Sequence, residues 1–181
     1  DKLRDEVRTR DFNWVKSEIK PEERAYRNGH RAVLILITGD PATGKGSLAR
    51  TLEHSLFQNN FQSYLLDRRN VNLGVGADVD DPKNTGEAES ARRLGEVTKL
   101  FLDAGHVVIS TSNAFHKEDQ EDLRLLANPY QVIEIQVASQ PTGEPDITMS
   151  LDQAQDAKTA STKIQDFLKE KKILMGHNYS I

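Results

Sequence analysis

The chain has no cysteine. That excludes a disulfide framework, a thiol nucleophile and zinc sites built on thiolates, and it fits the reducing conditions of a cytoplasmic protein. No apolar run approaches the ~20 residues that a membrane-spanning helix needs, and no leader pattern of basic start, apolar middle and small-residue cleavage site is present. Positive charge is not in excess. The formal net charge is −4, with the two signs interleaved, so there is neither a basic stripe for nucleic acid nor a polybasic patch for a membrane surface. The five histidines, His30, His54, His106, His116 and His177, include no pair at i, i+4 and read as surface or loop residues rather than metal ligands. The first residue is Asp1 and not methionine, which leads to the expectation of an excised domain whose residues 1–10 are the tail of something upstream. At 181 residues the length prior is one domain with enough chain to bury a core.

What is present is concentrated between residues 33 and 57. Val33-Leu34-Ile35-Leu36-Ile37 reads as a strand buried on both faces, and Leu48, Leu52, Leu56 and Phe57 recur at helical spacing. Between them stands Gly39-Asp40-Pro41-Ala42-Thr43-Gly44-Lys45-Gly46-Ser47. Strand, glycine-rich turn and helix in that order form a phosphate-cradling loop. Backbone N–H groups surround phosphate oxygens, the helix N-terminus adds partial positive charge, and Lys45 reaches the terminal phosphates. Gly39 and Gly44 keep side chains out of that approach. The loop predicts binding of a nucleoside diphosphate or triphosphate. It departs from G-x-x-x-x-G-K-[ST] at one place: Gly46 stands where the metal-holding hydroxyl belongs, and Ser47 follows as the candidate Mg²⁺ ligand. The string G-x-P-x-x-G-K-G-[ST] resembles the loop of adenylate-kinase-type nucleoside monophosphate kinases.

Beyond this unit, short β-rich runs alternate with amphipathic ones, the signature of a parallel sheet covered by helices. Strands are predicted at Ser63–Leu66, Val107–Ser110, Val132–Val137 and Ile147–Met149, and helices at Glu87–Asp103, Lys117–Ala127 and Leu151–Lys172, with residues 72–86 left irregular. The predicted fold is three-layer α/β/α, of the P-loop NTPase kind, on a five-stranded mainly parallel sheet. Residues 1–30 are expected to form a lead-in, a linker from an upstream domain, and residues 31–181 the nucleotide-binding domain. Ligands of such sheets bind at the carboxyl ends of the strands, so the segments after them carry the chemistry.

Those segments bring a family into view. Trp14-Val15-Lys16, Arg27-Asn28-Gly29-His30-Arg31, the phosphate loop, Leu66-Asp67 with Asn70-Val71, and above all Arg92-Arg93-Leu94-Gly95-Glu96-Val97-Thr98-Lys99-Leu100-Phe101-Leu102-Asp103-Ala104-Gly105 make the chain resemble adenylylsulfate kinase (APS kinase) over nearly its whole length. The resemblance implies transfer of phosphate from ATP, with Mg²⁺, to the 3′-hydroxyl of adenylylsulfate to give PAPS. It also implies ATP or ADP as ligand, a homo-oligomer, and a fused or associated sulfate adenylyltransferase.

Residue by residue, the family pattern breaks at the chemistry. Its L-D-G-D-N-V-R reads Leu66-Asp67-Arg68-Arg69-Asn70-Val71-Asn72 here: Arg69 takes the place of the presumed catalytic base, and Asn72 that of a substrate-binding arginine. A guanidinium cannot accept a hydroxyl proton. Glu87 stands for a further arginine and Ser90 for an asparagine, and the turn after the third strand reads Thr111-Ser112-Asn113-Ala114-Phe115-His116, without the family's proline and arginine. The long lid between the fourth and fifth strands is reduced to a few residues around Thr142-Gly143-Glu144. The substrate pocket is accordingly assigned to Asp67, Arg68, Arg69, Asn70, Asn72, Ser90 and Asn113. Three readings follow: a degenerate, weakly active or inactive binding and regulatory module; an active adenylylsulfate kinase with an altered base such as Asp67; or a P-loop kinase for another small anionic substrate.

Overall fold

The computed structural model describes residues 1–80, 86–113 and 117–177, with the side chains of residues 87 and 117–119 outside that description. Its elements in chain order are α1 (Lys2–Asn13), α2 (Pro21–Asn28), β1 (Val33–Gly39), α3 (Lys45–Gln58), β2 (Ser63–Leu65), α4 (Arg68–Leu73), α5 (Glu87–Asp103), β3 (Val107–Ser112), α6 (Lys117–Ala127), β4 (Gln131–Val137), β5 (Ile147–Met149), α7 (Leu151–Gln155) and α8 (Ala157–Glu170).

Because β1 is apolar at successive positions, it can be covered on both faces, and it takes the centre of the sheet. The order is β2-β3-β1-β4-β5 and every pairing is parallel. Val33, Ile35 and Ile37 point to one side, where Leu48, Leu52 and Leu56 of α3 and Ile164 and Leu168 of α8 close the larger core. Leu34 and Val108 point to the other, against Leu102 of α5 and Ala127 at the end of α6. The sheet is thus the middle of three layers, as predicted from the alternation of elements.

Several elements differ from the sequence expectation. The closing helix is interrupted at Asp156, whose non-helical backbone starts α8 afresh and whose carboxylate accepts bonds from Thr159 N at 3.3 Å and Thr159 Oγ1 at 2.7 Å. Apolar periodicity continues across the break, so only the capping residue marks it. Asp67 does the same for the short α4, which the sequence reading missed. The lead-in is helical and folded onto the domain: Val7 is buried, and Arg10 donates to Glu96 Oε2 at 2.8 Å on α5 and to the Leu126 carbonyl at 3.3 Å on α6. His30 is no surface histidine. It is fully buried, its Nε2 accepting from Gln62 N at 3.1 Å and its Nδ1 facing the Arg31 carbonyl at 3.0 Å, which only a neutral ring with hydrogen on Nδ1 satisfies. Burial holds its pKa below the ordinary value. Of the other histidines, His116 lies outside the described residues.

Parallel strands are ordinarily joined by a long crossover, yet β4 reaches β5 through residues 138–146 with no helix between. The register explains it: Ile147 pairs with Ile135, so the chain backtracks only a short way along β4 before re-entering the sheet. Gln136 pins the return, donating to the Thr142 carbonyl at 3.0 Å and accepting from Thr142 N at 2.7 Å.

Candidate functional site

The loop from Gly39 to Ser47 leaves the carboxyl end of the central strand and runs into α3. Gly39 is required by close approach: a Cβ there would lie 2.6 Å from the Val137 carbonyl oxygen and 3.0 Å from Thr43 Oγ1. Gly44 is required by conformation, at φ +85°. Ala42 also has positive φ, at +64°, a position in the left-handed region that a residue with a Cβ seldom takes. Thr43 Oγ1 donates to the Asp40 carbonyl at 2.9 Å, and so does Lys45 Nζ at 3.1 Å, which holds the ammonium over its own loop. Burial lowers the Lys45 pKa, with the negative charge of Asp40 opposing. No side chain caps α3. Its first N–H groups and the dipole are therefore left for the loop's concavity, an arrangement that can receive an anion. Asp40, Pro41, Ala42 and Ser47 are exposed, while Gly44, Lys45 and Gly46 are half-buried.

Across from this loop, at the end of β2, Asp67 caps α4 by accepting from Arg69 N at 2.8 Å. The same carboxylate takes both prongs of the Arg69 guanidinium, Nε to Oδ1 at 3.1 Å and Nη2 to Oδ2 at 2.8 Å. The bond from the Arg69 side chain is the main reason that the Asp67 carboxyl is held below its ordinary pKa, and the Arg50 charge on α3 adds to it. Arg68 and the exposed Asn70 lie on α4. Asn72 and Ser90 face one another: Ser90 Oγ, which is buried, donates to Asn72 Oδ1 at 2.6 Å. The α5 residue Arg93 ties down the segment after α4, donating to the Val75 carbonyl at 2.9 Å, pairing with Asp78, and bonding Glu89 at 2.9 Å. Asn113 is exposed past the end of β3, its carbonyl accepting from Ser112 Oγ at 2.9 Å. Ala114, Phe115 and His116 and the Glu87 side chain lie outside the described residues.

Of the substrate-pocket residues, the structure thus joins Asp67 with Arg69 and Asn72 with Ser90, and reaches Asn113 from a different strand. It adds Arg50, which the sequence reading did not single out. Arg50 is exposed, and its Nη1 lies 3.6 Å from where a Cβ on Gly46 would stand. The signal was there, since 46 and 50 are i, i+4 on one helix and side chains lean toward the helix N-terminus. Among the described residues, no group of three or more His, Cys, Asp or Glu could hold a metal ion. The position after Lys45 has no hydroxyl and lies against a guanidinium, so the residues present do not fit a divalent cation at the place the usual motif gives it.

Residues 31–164 match the adenylylsulphate kinase family. The adenylyl-sulfate kinase of Buchnera aphidicola subsp. Schizaphis graminum is 35% identical over 122 residues, 67% of this chain and 57% of that protein. The matches span 57–64% of the length of the first curated relatives, all of them adenylyl-sulfate kinases. Among solved structures, a cysteine-to-alanine variant of the Mycobacterium tuberculosis APS kinase superposes with TM-score 0.70 at 25% identity, covering 77% of this chain and 99% of that one. The same enzyme in complex with AMPPNP and APS gives TM-score 0.68 at 21% identity, over 77% of this chain and 99% of that one.

Proposed function

The chain belongs to the adenylylsulphate kinase family, and from that premise we propose that it is an adenine-nucleotide-binding domain of sulfate activation in which phosphate transfer to adenylylsulfate is lost or strongly impaired. In this reading residues 31–181 form the binding domain. It holds ATP or ADP through Gly39–Ser47 and acts as a regulatory module beside, or fused to, a sulfate adenylyltransferase.

The observation that carries the reading is the Asp67–Arg69 pair. A general base must offer a lone pair to the substrate hydroxyl, and both Asp67 oxygens already accept from Arg69. A lowered pKa also makes the carboxylate a poorer proton acceptor near neutral pH. With three of its roughly four lone-pair sites taken, Asp67 is a weak candidate to replace the family's base, which supports this reading. Asn72 and Ser90 satisfy each other rather than an anionic substrate. The β4–β5 connection, pinned by Gln136, is too short to close over two ligands and exclude water. Losing a general base alone costs about 10²–10⁴-fold in rate. Losing a charge-assisted substrate contact adds roughly 1.5–3 kcal/mol.

The test is a coupled assay for 3′-phosphorylation of adenylylsulfate with ATP and Mg²⁺. Wild type and Arg69→Asp are both expected at background, because restoring one carboxylate restores neither the cations nor the lid. Wild-type turnover on the order of 1 s⁻¹ would show an ordinary kinase instead. Nucleotide binding is read separately. Millimolar ADP is expected to raise the melting temperature of the wild type by mass action, and Lys45→Ala to abolish the rise.

A further inference from the structure

We propose that Arg50 takes over the charge that a divalent cation supplies in phosphate-binding loops of the usual pattern, so that this domain binds its nucleotide without Mg²⁺. The inference rests on the reading of Gly39–Ser47 as the nucleotide site and extends it to the ion and the residue that balance the phosphate charge.

Three observations meet at one spot. The position after Lys45, where the hydroxyl of the usual motif would bind the metal, is Gly46 and has no side chain. The Arg50 guanidinium lies against that position, with Nη1 3.6 Å from the place of a Cβ on Gly46. The same guanidinium is near enough to Asp67, which follows β2, to help lower that carboxyl's pKa. Arg50 thus lies beside the loop, with its charge also felt at Asp67 beyond the end of β2. It is exposed, and among the described residues it has no hydrogen-bond or salt-bridge partner, whereas Arg69 is bound to Asp67, and Arg92 and Arg93 to Glu89.

Charge decides the consequence. A guanidinium is protonated at all accessible pH values and presents a planar fork suited to two phosphate oxygens. Together with the Lys45 ammonium and the partial charge of the α3 N-terminus, it provides two full positive charges and a fraction, enough to offset most of a diphosphate's charge. A divalent cation beside the same phosphates would sit within a few ångströms of Arg50 and be repelled by it. Asp67, the carboxylate that follows β2, is engaged by Arg69 and offers no compensation.

Titration calorimetry with ADP, in millimolar EDTA and in millimolar magnesium chloride, tests this. Wild type is expected to bind equally well in both, or more weakly with magnesium. Arg50→Ala is expected to lose about tenfold or more in affinity in EDTA, the value of a charge-assisted contact. Arg50→Lys, which keeps the charge but not the fork, should fall between them. Because Arg50 is exposed, unchanged melting of the unliganded variant checks that the fold is intact. The double variant Gly46→Ser with Arg50→Ala should recover binding in magnesium only, since a Cβ at 46 meets nothing closer than the guanidinium being removed. Wild-type binding that requires magnesium, above all if Ser47→Ala weakens binding in magnesium, overturns the proposal and leaves the nucleotide site standing. Equal affinity of Arg50→Ala and wild type in EDTA also overturns it. No binding of ADP or ATP under either condition defeats the nucleotide-site reading itself.

Discussion

Asp67 carries two tasks with one carboxylate: it caps α4 through Arg69 N and neutralises the Arg69 side chain. The pair is held by position as much as by charge, because the cap fixes Oδ1 where the guanidinium of a residue two places on can fork onto it. Its energetic contribution is small, since the Arg69 side chain is 82% exposed and solvent screens it. Its chemical effect is larger, because it sets the protonation behaviour of a carboxylate at a strand end. Arg69→Ala is expected to raise the Asp67 pKa toward the ordinary carboxylate value without reaching it, because the backbone bond to Arg69 N remains, as does the charge of Arg50. An NMR titration of the Asp67 carboxyl would show this. The sign for stability follows from the direction of the shift. A carboxyl whose folded pKa is depressed contributes above its unfolded pKa and loses that contribution as pH falls through the folded one. The variant should therefore be less sensitive to acid than wild type, and an unchanged Asp67 titration would mean that the forked pair does not persist in solution.

At the level of elements, the site depends on how closely helices approach the sheet and one another. Gly95 lets α5 lie against α6: a Cβ there would stand 2.6 Å from Leu126 Cδ1 and 3.3 Å from Leu126 Cβ. Leu126 is 2% exposed, so it has little room to move. Alanine in a helix interior is worth about 1 kcal/mol over glycine. Overpacking a core contact costs about 1–3 kcal/mol, and the contact here includes the less movable Cβ. Gly95→Ala is therefore expected to lower stability by about 1 kcal/mol net. Denaturant unfolding measures it, and a stabilised variant would mean that the α5–α6 contact relaxes freely. In the first turn of α5, Glu89 holds Arg92 and Arg93, which lowers the Glu89 pKa to about 2. Arg92 is thereby engaged within α5, and Arg93 also ties down Val75 and Asp78 after α4.

Across the whole molecule, the lead-in and the C-terminal segment are joined rather than loose. Met175 N and Gly176 N donate to the Gly29 carbonyl at 2.9 and 3.0 Å, Arg31 N donates to the Ile173 carbonyl at 2.8 Å, and buried His30 bridges the start of the domain to Gln62. Trp14 lies beside Arg10 and Lys99, with Lys99 also over Tyr130 and bonded to the Asn128 carbonyl. Removing residues 1–30 is expected to lower the melting temperature by several degrees, as losses of about 1–3 kcal/mol do in a domain of this size. The same deletion should leave ADP binding intact, because the phosphate loop lies at the other end of β1. An unchanged melting curve would make the lead-in a linker in the mechanical sense as well as in sequence.

The sheet, its central strand, the phosphate loop and the helices Glu87–Asp103 and Lys117–Ala127 were legible in the sequence, because each is written in local terms: an apolar run, glycines at a turn, and a 3.6-residue period. The family was legible for the same reason, since it resides in contiguous motifs. The scarcity of apolar residues in 1–30 hid two helices, of which α1 is held by contacts such as Arg10 with Glu96 and the Leu126 carbonyl, and the continuous apolar period of residues 151–172 hid a break that only the Asp156 cap reveals. The family resemblance put Arg69 where the family's base is expected and left open whether Asp67 could serve instead. Only the folded chain turned the Arg69 guanidinium back onto Asp67, set Asn72 against Ser90 and laid Arg50 beside Gly46. Those are contacts between side chains whose partners are chosen by helix orientation and packing. Local composition determines which elements form and what a loop can bind, whereas which charge neutralises which is settled when the elements meet in three dimensions.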